Sequence, residues 1–267
     1  PTTDDDLPEG GHVEDVVVGA GITGLTTALL LARAGRRVAV VEARSIGAVA
    51  TGNTTAKISL LQGTRLSMIL GRQSERVAKA YVEANLEGQQ WLLRFCQDHD
   101  VPVQTRDAIT YASAAKDVDT VRKEHDAATT VGLDVRWEDR LDVPFPVHAA
   151  TVLPDQAQFD PMDALAALAS QIRSHGGTIH QGRRVISVSK FGKPRLELEG
   201  GDVLHAEKVV LATGTPILDR GLYFAKLEPL RSYALAFDLA SPPEAMYLSA
   251  GDPTRSVRDA PGGKLLV

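Results

Sequence analysis

Gly19-Ala20-Gly21-Ile22-Thr23-Gly24 is the stretch whose reading decides the fold. It follows Val13 to Val18, an apolar run of the kind expected for a strand buried on both faces. It precedes Leu25 to Ala34, a Leu- and Ala-rich helical segment that Gly35 closes as a C-terminal cap. Arg37 to Val41 supplies the next strand. Strand, tight turn, helix and strand make a βαβ unit with an expected right-handed crossover. The glycine spacing therefore stands in the context that gives it meaning. Gly19 permits the tight turn, Gly21 leaves bare backbone for a pyrophosphate, and Gly24 lets helix and strand pack closely. The helix N-terminus adds about half a positive charge and free N–H donors. Glu42 ends the second strand, where a carboxylate can accept hydrogen bonds from ribose hydroxyls and repel a 2′-phosphate.

Outward from this unit, Ser74 to Asp98 reads as a long amphipathic helix with Val77, Tyr81, Ala84, Trp91, Leu92 and Phe95 on one stripe. Short strands are expected at Val101–Thr105 and Ala108–Ala112, and a weaker helix at Lys116–Val131. Two prolines make Asp142 to Pro146 a loop. Asp160-Pro161 starts a helix, with Asp as N-cap, Leu165, Leu168, Ala169 and Ile172 on its buried face, and Gly176-Gly177 as its stop. A meander follows: Thr178–Gln181, Arg184–Lys190, Pro194–Glu199, Val203–His205 and Lys208–Ala212, leading back into the parallel sheet. Beyond Gly214, β-like runs are expected at Leu230–Leu239 and Glu244–Ser249, and Val267 looks like the middle of a strand. No internal repeat or low-complexity tract is evident.

Composition narrows the classes. A net charge of -5 argues against nucleic acid or an anionic membrane as partner. No segment approaches the roughly 20 apolar residues needed to span a bilayer. Pro1 to Gly11 carries Asp4, Asp5, Asp6 and Glu9 and reads as a flexible acidic arm, not a signal peptide; the missing initiator Met suggests absent upstream residues. Cys96 is the one cysteine, so no internal disulfide forms, a reducing, cytoplasmic compartment fits, and no zinc or iron–sulfur site can be built on it alone. No metal site is expected.

The βαβ unit does not by itself distinguish NAD from FAD. Two further segments bear on the choice. Thr51-Gly52-Asn53-Thr54-Thr55-Ala56-Lys57 is small and polar, so its backbone N–H groups can reach a second phosphate or a flavin edge. Val209-Val210-Leu211-Ala212-Thr213-Gly214 is a buried strand ending in a small-residue turn, able to return the chain to the cofactor. Either could also be an ordinary loop or core strand.

With these motifs in view, the chain resembles the FAD-dependent oxidoreductases of the D-amino-acid oxidase, glycine oxidase and sarcosine oxidase superfamily, from about Val13 onward. Thr51–Ser59, Pro154–Pro161, Gly221–Ala225 and Asp252–Ser256 are similar to the bacterial branch whose members carry a C-terminal Rieske domain. The resemblance implies FAD, with Gly19, Gly21, Ile22, Thr23 and Gly24 around the pyrophosphate, and Glu42, Ala43 and Arg44 at the adenosine. It implies Thr51, Gly52, Thr54, Thr55, Ala56 and Lys57 running toward the flavin, Val185 holding the adenine through its backbone, and Ala212, Thr213 and Gly214 returning to the cofactor. A Rieske centre needs two Cys and two His, so that domain is expected to be absent and the chain truncated at its C-terminus.

The resemblance further implies an α/β fold: a Rossmann-like FAD-binding domain over 1–98 and 155–215, with an interleaved, incomplete substrate domain on an antiparallel sheet over 99–154 and 216–267. The implied reaction is oxidation of the C–N bond of an amine or amino acid by hydride transfer to flavin, with a Rieske domain as possible electron partner. A flavoenzyme acting on a hydroxy acid or other donor, or a truncated non-catalytic fragment, are the alternatives. Lys57 can stabilise negative charge on reduced flavin. Arg231, Arg255 and Arg258 can clamp a carboxylate. Tyr223 and Tyr233 are pocket candidates, although core packing explains them better; His148 reads as a loop residue, and Cys96 and Trp91 as core.

Overall fold

A computed structural model describes residues 5–6, 11–189, 191–218, 221–228 and 230–267. In chain order its elements are β1 (His12–Val18), α1 (Ile22–Arg33), β2 (Val38–Val41), β3 (Lys57–Ile58), α2 (Arg65–Leu70), α3 (Glu75–Asp98), β4 (Val103–Ala112), α4 (Val118–Thr130), β5 (Arg136–Glu138) and β6 (Ala149–Phe159). They continue with α5 (Pro161–Ser174), β7 (Thr178–His180), β8 (Val185–Val188), β9 (Arg195–Leu198), β10 (Val203–Leu211), β11 (Ala236–Asp238), β12 (Met246–Ser249), β13 (Ser256–Ala260) and β14 (Lys264–Leu266). The chain forms two compact units, residues 1–54 with 161–232, and residues 55–160 with 233–267.

The first unit is an α/β layer built on a six-stranded sheet, β7-β2-β1-β10-β9-β8. β1 pairs in parallel with β2 and β10, and β2 in parallel with β7. The central strands are Val-rich because both their faces are covered: Val16, Val17, Val40 and Val41 are fully buried. Helix α1 presents Gly24, Leu25, Ala28, Leu29 and Ala32 inward and packs on α5, whose Leu165, Leu168, Ala169 and Ile172 are buried as expected. Asp15, buried on β1, is held by the Arg36 guanidinium at 2.6 and 3.1 Å.

The second unit carries a sheet ordered β11-β14-β13-β12-β4-β6-β3, with β5 added beside β6. Its pairings are antiparallel except β12 with β4. Tyr111, Phe145 and Tyr247 meet in one aromatic cluster, with ring centroids 5.3 to 6.3 Å apart. Val143 and Phe145 of the 142–146 loop, and Val147 just after it, pack onto that core. No described helix is long and apolar enough to cross a membrane.

Several expectations are corrected. The two runs at 101–105 and 108–112 are one strand, β4, interrupted by a register shift between Arg106 and Ala108. Opposite the shift, β6 contains Pro154 and a left-handed Asp155 (φ 57°), so the proline that reads as a strand breaker sits where the ladder is already broken. β6 itself was not expected. Val203–His205 and Lys208–Ala212 likewise fuse into β10, while only Ala236–Asp238 of Leu230–Leu239 is strand. On α3 the buried residues are Ala78, Val82, Phe95 and Cys96; Val77 and Ala84 are exposed, because the stripe lies one residue further round. The compact units divide at 54/55, 160/161 and 232/233. Helix α3 falls in the second unit, since its polar face ties to residues 58–62: Tyr81 Oη to Gln62 Oε1 at 2.6 Å and Gln89 Nε2 to the Ile58 carbonyl at 3.1 Å. Of the acidic arm, residues 1–4 and 7–10 lie outside the described residues, as does Lys190, the expected end of a strand. Asp5 is not loose but bound to β7 and α5.

Candidate functional site

The turn between β1 and α1 is made of backbone because side chains would not fit. A Cβ on Gly24 would stand 1.9 Å from the Gly19 carbonyl oxygen, and one on Gly19 (φ 110°) 2.4 Å from the Ala212 carbonyl oxygen. These two glycines therefore serve packing. Gly21 differs: a Cβ there would meet only Thr51 Oγ1, at 3.2 Å, so its face of the turn is open. Gly21 is the N-cap of α1 and offers no side chain to the helix, whose first turn carries no acid. The amides of Thr23 and Gly24 precede the first intrahelical donor, Leu25, which bonds the Gly21 carbonyl at 3.0 Å. Bare backbone, first-turn donors and a helix dipole meet here, which is the donor set a pyrophosphate requires.

Glu42 turns toward this opening. Its Oε2 accepts from the Ala20 amide and its Oε1 from the Arg44 amide, both at 2.8 Å. A carboxylate has about four acceptor positions, so each oxygen retains capacity for a ribose hydroxyl. The strand end that carries Glu42 is held by β7 and the following turn: its amide donates to the His180 carbonyl and its carbonyl accepts from Arg183, both at 2.8 Å. Val185, two residues beyond Arg183, starts β8 with its side chain in the core beside Val18 and Val41.

A second turn closes on the first. The Gly47 amide bonds the Ala20 carbonyl at 3.1 Å, the Gly52 amide the Gly47 carbonyl at 2.9 Å, and the Ile22 amide Thr51 Oγ1 at 3.2 Å. Gly47 (φ 70°) leaves no room for a Cβ beside Leu165 and Met162 of α5, and a Cβ on Gly52 would strike the Gly47 carbonyl. The sequence reading singled out Thr51 and Gly52 but missed Gly47; a second glycine pair spaced five apart, just after Glu42, was the available signal. Ala212 abuts Gly19 and Gly24 and continues β10 by bonding the Val18 carbonyl at 2.8 Å, so the structure brings the late strand to the early turn. Thr213 Oγ1 donates to the Thr215 carbonyl, and Gly214 is exposed with φ 74°. Ala43 is half-buried, and Arg44 and Thr54 are exposed in the same unit.

Thr55, Ala56 and Lys57 belong to the second unit. There Lys57 Nζ donates to the Tyr247 carbonyl at 2.9 Å and to Ser256 Oγ at 2.5 Å, and Thr55 Oγ1 lies 3.2 Å from that same hydroxyl. Burial, reinforced by the nearby Arg258 charge, pulls the Lys57 ammonium down from 10.5 to about 7. Arg258 is 4% exposed. Its Nη1 and Nη2 reach the Asp259 and Phe159 carbonyls at 3.0 and 3.3 Å, and its Nε has no partner among the described residues. The Asp259 carboxylate is taken instead by Arg106, at 2.7 to 3.1 Å, and by Gln158 Nε2 at 3.0 Å. Gln158 is fully buried and its Oε1 is also unpaired among the described residues. The Asp259 carboxylate is thus paired with Arg106, while Arg258 feels the charges of Asp259 and Asp160 without a carboxylate hydrogen bond of its own among the described residues. Arg231 and Arg255 are exposed, as are Tyr223, Tyr233 and His148, while Cys96 is buried with its thiol pushed up by burial.

With that geometry in place, the comparisons define the class. The family described as FAD dependent oxidoreductase matches residues 16–267, and the chain belongs to it. FAD is therefore the cofactor, and the bare turn, first-turn donors and Glu42 carboxylate fit its adenosine diphosphate half. YhfW of Bacillus subtilis (strain 168), which carries the name of a Rieske 2Fe-2S iron–sulfur protein, is 29% identical over 256 residues; the match covers 94% of this chain and half of the relative's length. Glycine oxidase from Geobacillus kaustophilus has a similar fold, with a TM-score of 0.73 at 20% identity, over 96% of this chain and 70% of that one. L-proline dehydrogenase from P. horikoshii matches with a TM-score of 0.67 at 17% identity, over 96% and 69% of the two chains.

Proposed function

We propose that the chain serves the oxidation of the C–N bond of an amino acid or related amine, the resulting imine then being hydrolysed by water. One observation carries the substrate class: Arg258, buried and cationic, keeps an Nε with no partner among the described residues while the Asp259 carboxylate is committed to Arg106. A desolvated guanidinium with unspent donors is matched by a carboxylate, which it can hold bidentately. Arg258 is thus the anchor, and the exposed Arg231 and Arg255 contribute long-range attraction for an anionic substrate.

FAD, when bound, supplies the two-electron acceptor. The chain's own residues bind and orient. Gly21 and the first turn of α1 receive the pyrophosphate, Glu42 the adenosine ribose, and Ala43, Arg44, Val185 and the Ala212–Gly214 turn flank the same half of the cofactor. Thr51, Gly52 and Thr54 close over the turn, with Thr55 and Ala56 continuing the same segment. Lys57, brought to about 7, is about half charged at neutral pH, so it can take a proton from a substrate ammonium as well as oppose negative charge. Fixing both ends of a substrate in this way contributes through orientation. The fold likeness to glycine oxidase and L-proline dehydrogenase supports a C–N substrate. The YhfW likeness supports an iron–sulfur centre, supplied from outside these residues, as electron acceptor. A single, buried cysteine supports a cytoplasmic setting.

The test is anaerobic mixing of the FAD-loaded protein with amino acids, simple amines and hydroxy acids, followed by the flavin's visible absorbance. Bleaching by amino acids with release of ammonia is expected. Bleaching by hydroxy acids alone would assign another donor, and no bleaching by any would leave a cofactor-binding fragment without this chemistry.

A further inference from the structure

Asp5 lies outside every motif discussed above, yet its amide, carbonyl and carboxylate are all engaged. Its amide donates to the Ile179 carbonyl at 3.2 Å, and its Oδ2 accepts from the Ile179 amide at 2.7 Å. Its carboxylate also pairs with Arg173 Nε of α5 at 2.9 and 3.2 Å. Its carbonyl lies 2.7 Å from Nδ1 of His180, a fully buried ring whose other nitrogen is 2.9 Å from Thr178 Oγ1. β7 is the outer strand of the sheet, so these bonds occupy an otherwise open edge.

The contacts lead to the cofactor turn through a short run of backbone bonds. The His180 carbonyl, on the residue whose ring Asp5 holds, accepts from the Glu42 amide; Glu42 Oε2 in turn accepts from Ala20 inside the glycine turn. We propose that Asp5 is a positioning residue for FAD: it fixes the end of β7, and β7 fixes the strand end from which Glu42 reaches the ribose. Asp5 is thereby a latch on the cofactor site, and removing its side chain lowers cofactor affinity without touching any group that contacts the cofactor. The inference rests on Glu42 gripping the adenosine ribose.

The test titrates the full chain, stripped of flavin, with FAD and separately with ADP, in the wild type and in Asp5→Ala, Asp5→Asn and Glu42→Ala. Amide hydrogen exchange at Glu42 is followed in each. Asp5→Ala is expected to weaken both ligands about fivefold to tenfold and to speed exchange of the Glu42 amide by a similar factor. Asp5→Asn, which keeps an oxygen for the Ile179 amide, should restore about half of that loss on a logarithmic scale. Should Asp5→Ala fail to fold, Asp5→Asn alone carries the comparison. Affinities within twofold of wild type, or weaker binding with unchanged exchange at Glu42, overturn the latch. If Glu42→Ala also binds FAD normally, the Glu42 reading falls instead.

Discussion

The cofactor turn and the buried cationic cluster are built on opposite principles. The turn works through missing side chains: Gly19, Gly21 and Gly24 sit within six residues, and the acid that completes them is at the end of the next strand. The cluster works through side chains that are present and costly to bury, gathered from β3, β4, β6 and β13. A bare backbone site demands little beyond a helix start to carry it. A charged one needs the surrounding sheet to hold Arg106, Arg258, Lys57 and Asp259 together. The first can be found by spacing, and the second only by seeing which distant strands become neighbours.

The largest expected effect separates packing from binding within the turn. Gly24→Val places a branched side chain against the Gly19 carbonyl, so a loss of about 3 kcal/mol or more is expected in urea unfolding, with FAD binding abolished. Retained stability would mean that the turn is looser than its 1.9 Å clearance requires.

In the cluster, Asp259→Ala leaves the Arg106 guanidinium without its buried carboxylate partner and should cost about 3 kcal/mol of stability. Arg258→Met removes the surplus cation instead. It should leave the fold nearly as stable while raising KM for carboxylate-bearing substrates about 100-fold, with simple amines little affected. Equal effects on both substrate types would remove Arg258 from substrate binding and place it with the structural charges.

The two regions also differ in how pH acts on them. Lys57 has a folded pKa of about 7 against 10.5 for the free group, so the unfolded chain binds more protons between those values. Stability should therefore rise as pH increases through that window, by at most about 1.4 kcal/mol per unit. Unfolding midpoints at pH 7 and 9 should show the rise in the wild type and its disappearance in Lys57→Met. A flat wild-type profile would mean that Lys57 is solvated and charged.

These outcomes bear on what sequence alone can yield. The βαβ unit was legible because its signals are local: apolar strands, a glycine turn, a helix closed at Gly35. The second unit was less so. Pro154 concealed β6 because a proline is harmless only at a ladder break, and that break depends on Arg106 and Ala108 some fifty residues earlier. That Arg258 Nε lacks a partner among the described residues cannot be read from its neighbours, because the Asp259 carboxylate is taken by Arg106, 153 residues away. Asp5 read as part of a loose acidic arm because a terminal run of acids is usually solvated; its partners, Arg173 and Ile179, lie 168 and 174 residues further along the chain.

The smallest expected effect lies at the lip of the turn. Thr51→Val removes the acceptor of the Ile22 amide and should weaken FAD about threefold to fivefold, the magnitude of one part-buried hydrogen bond. The central claim is tested most directly at Gly21, where an added methyl meets open space toward the ligand and one hydroxyl, so the fold can keep it while the pyrophosphate cannot. Calorimetric titration of the flavin-free chain with FAD should give one site per chain, weakened about 30-fold or more in Gly21→Ala, with an unfolding midpoint close to that of the wild type. Equal affinity in the two proteins would contradict the account.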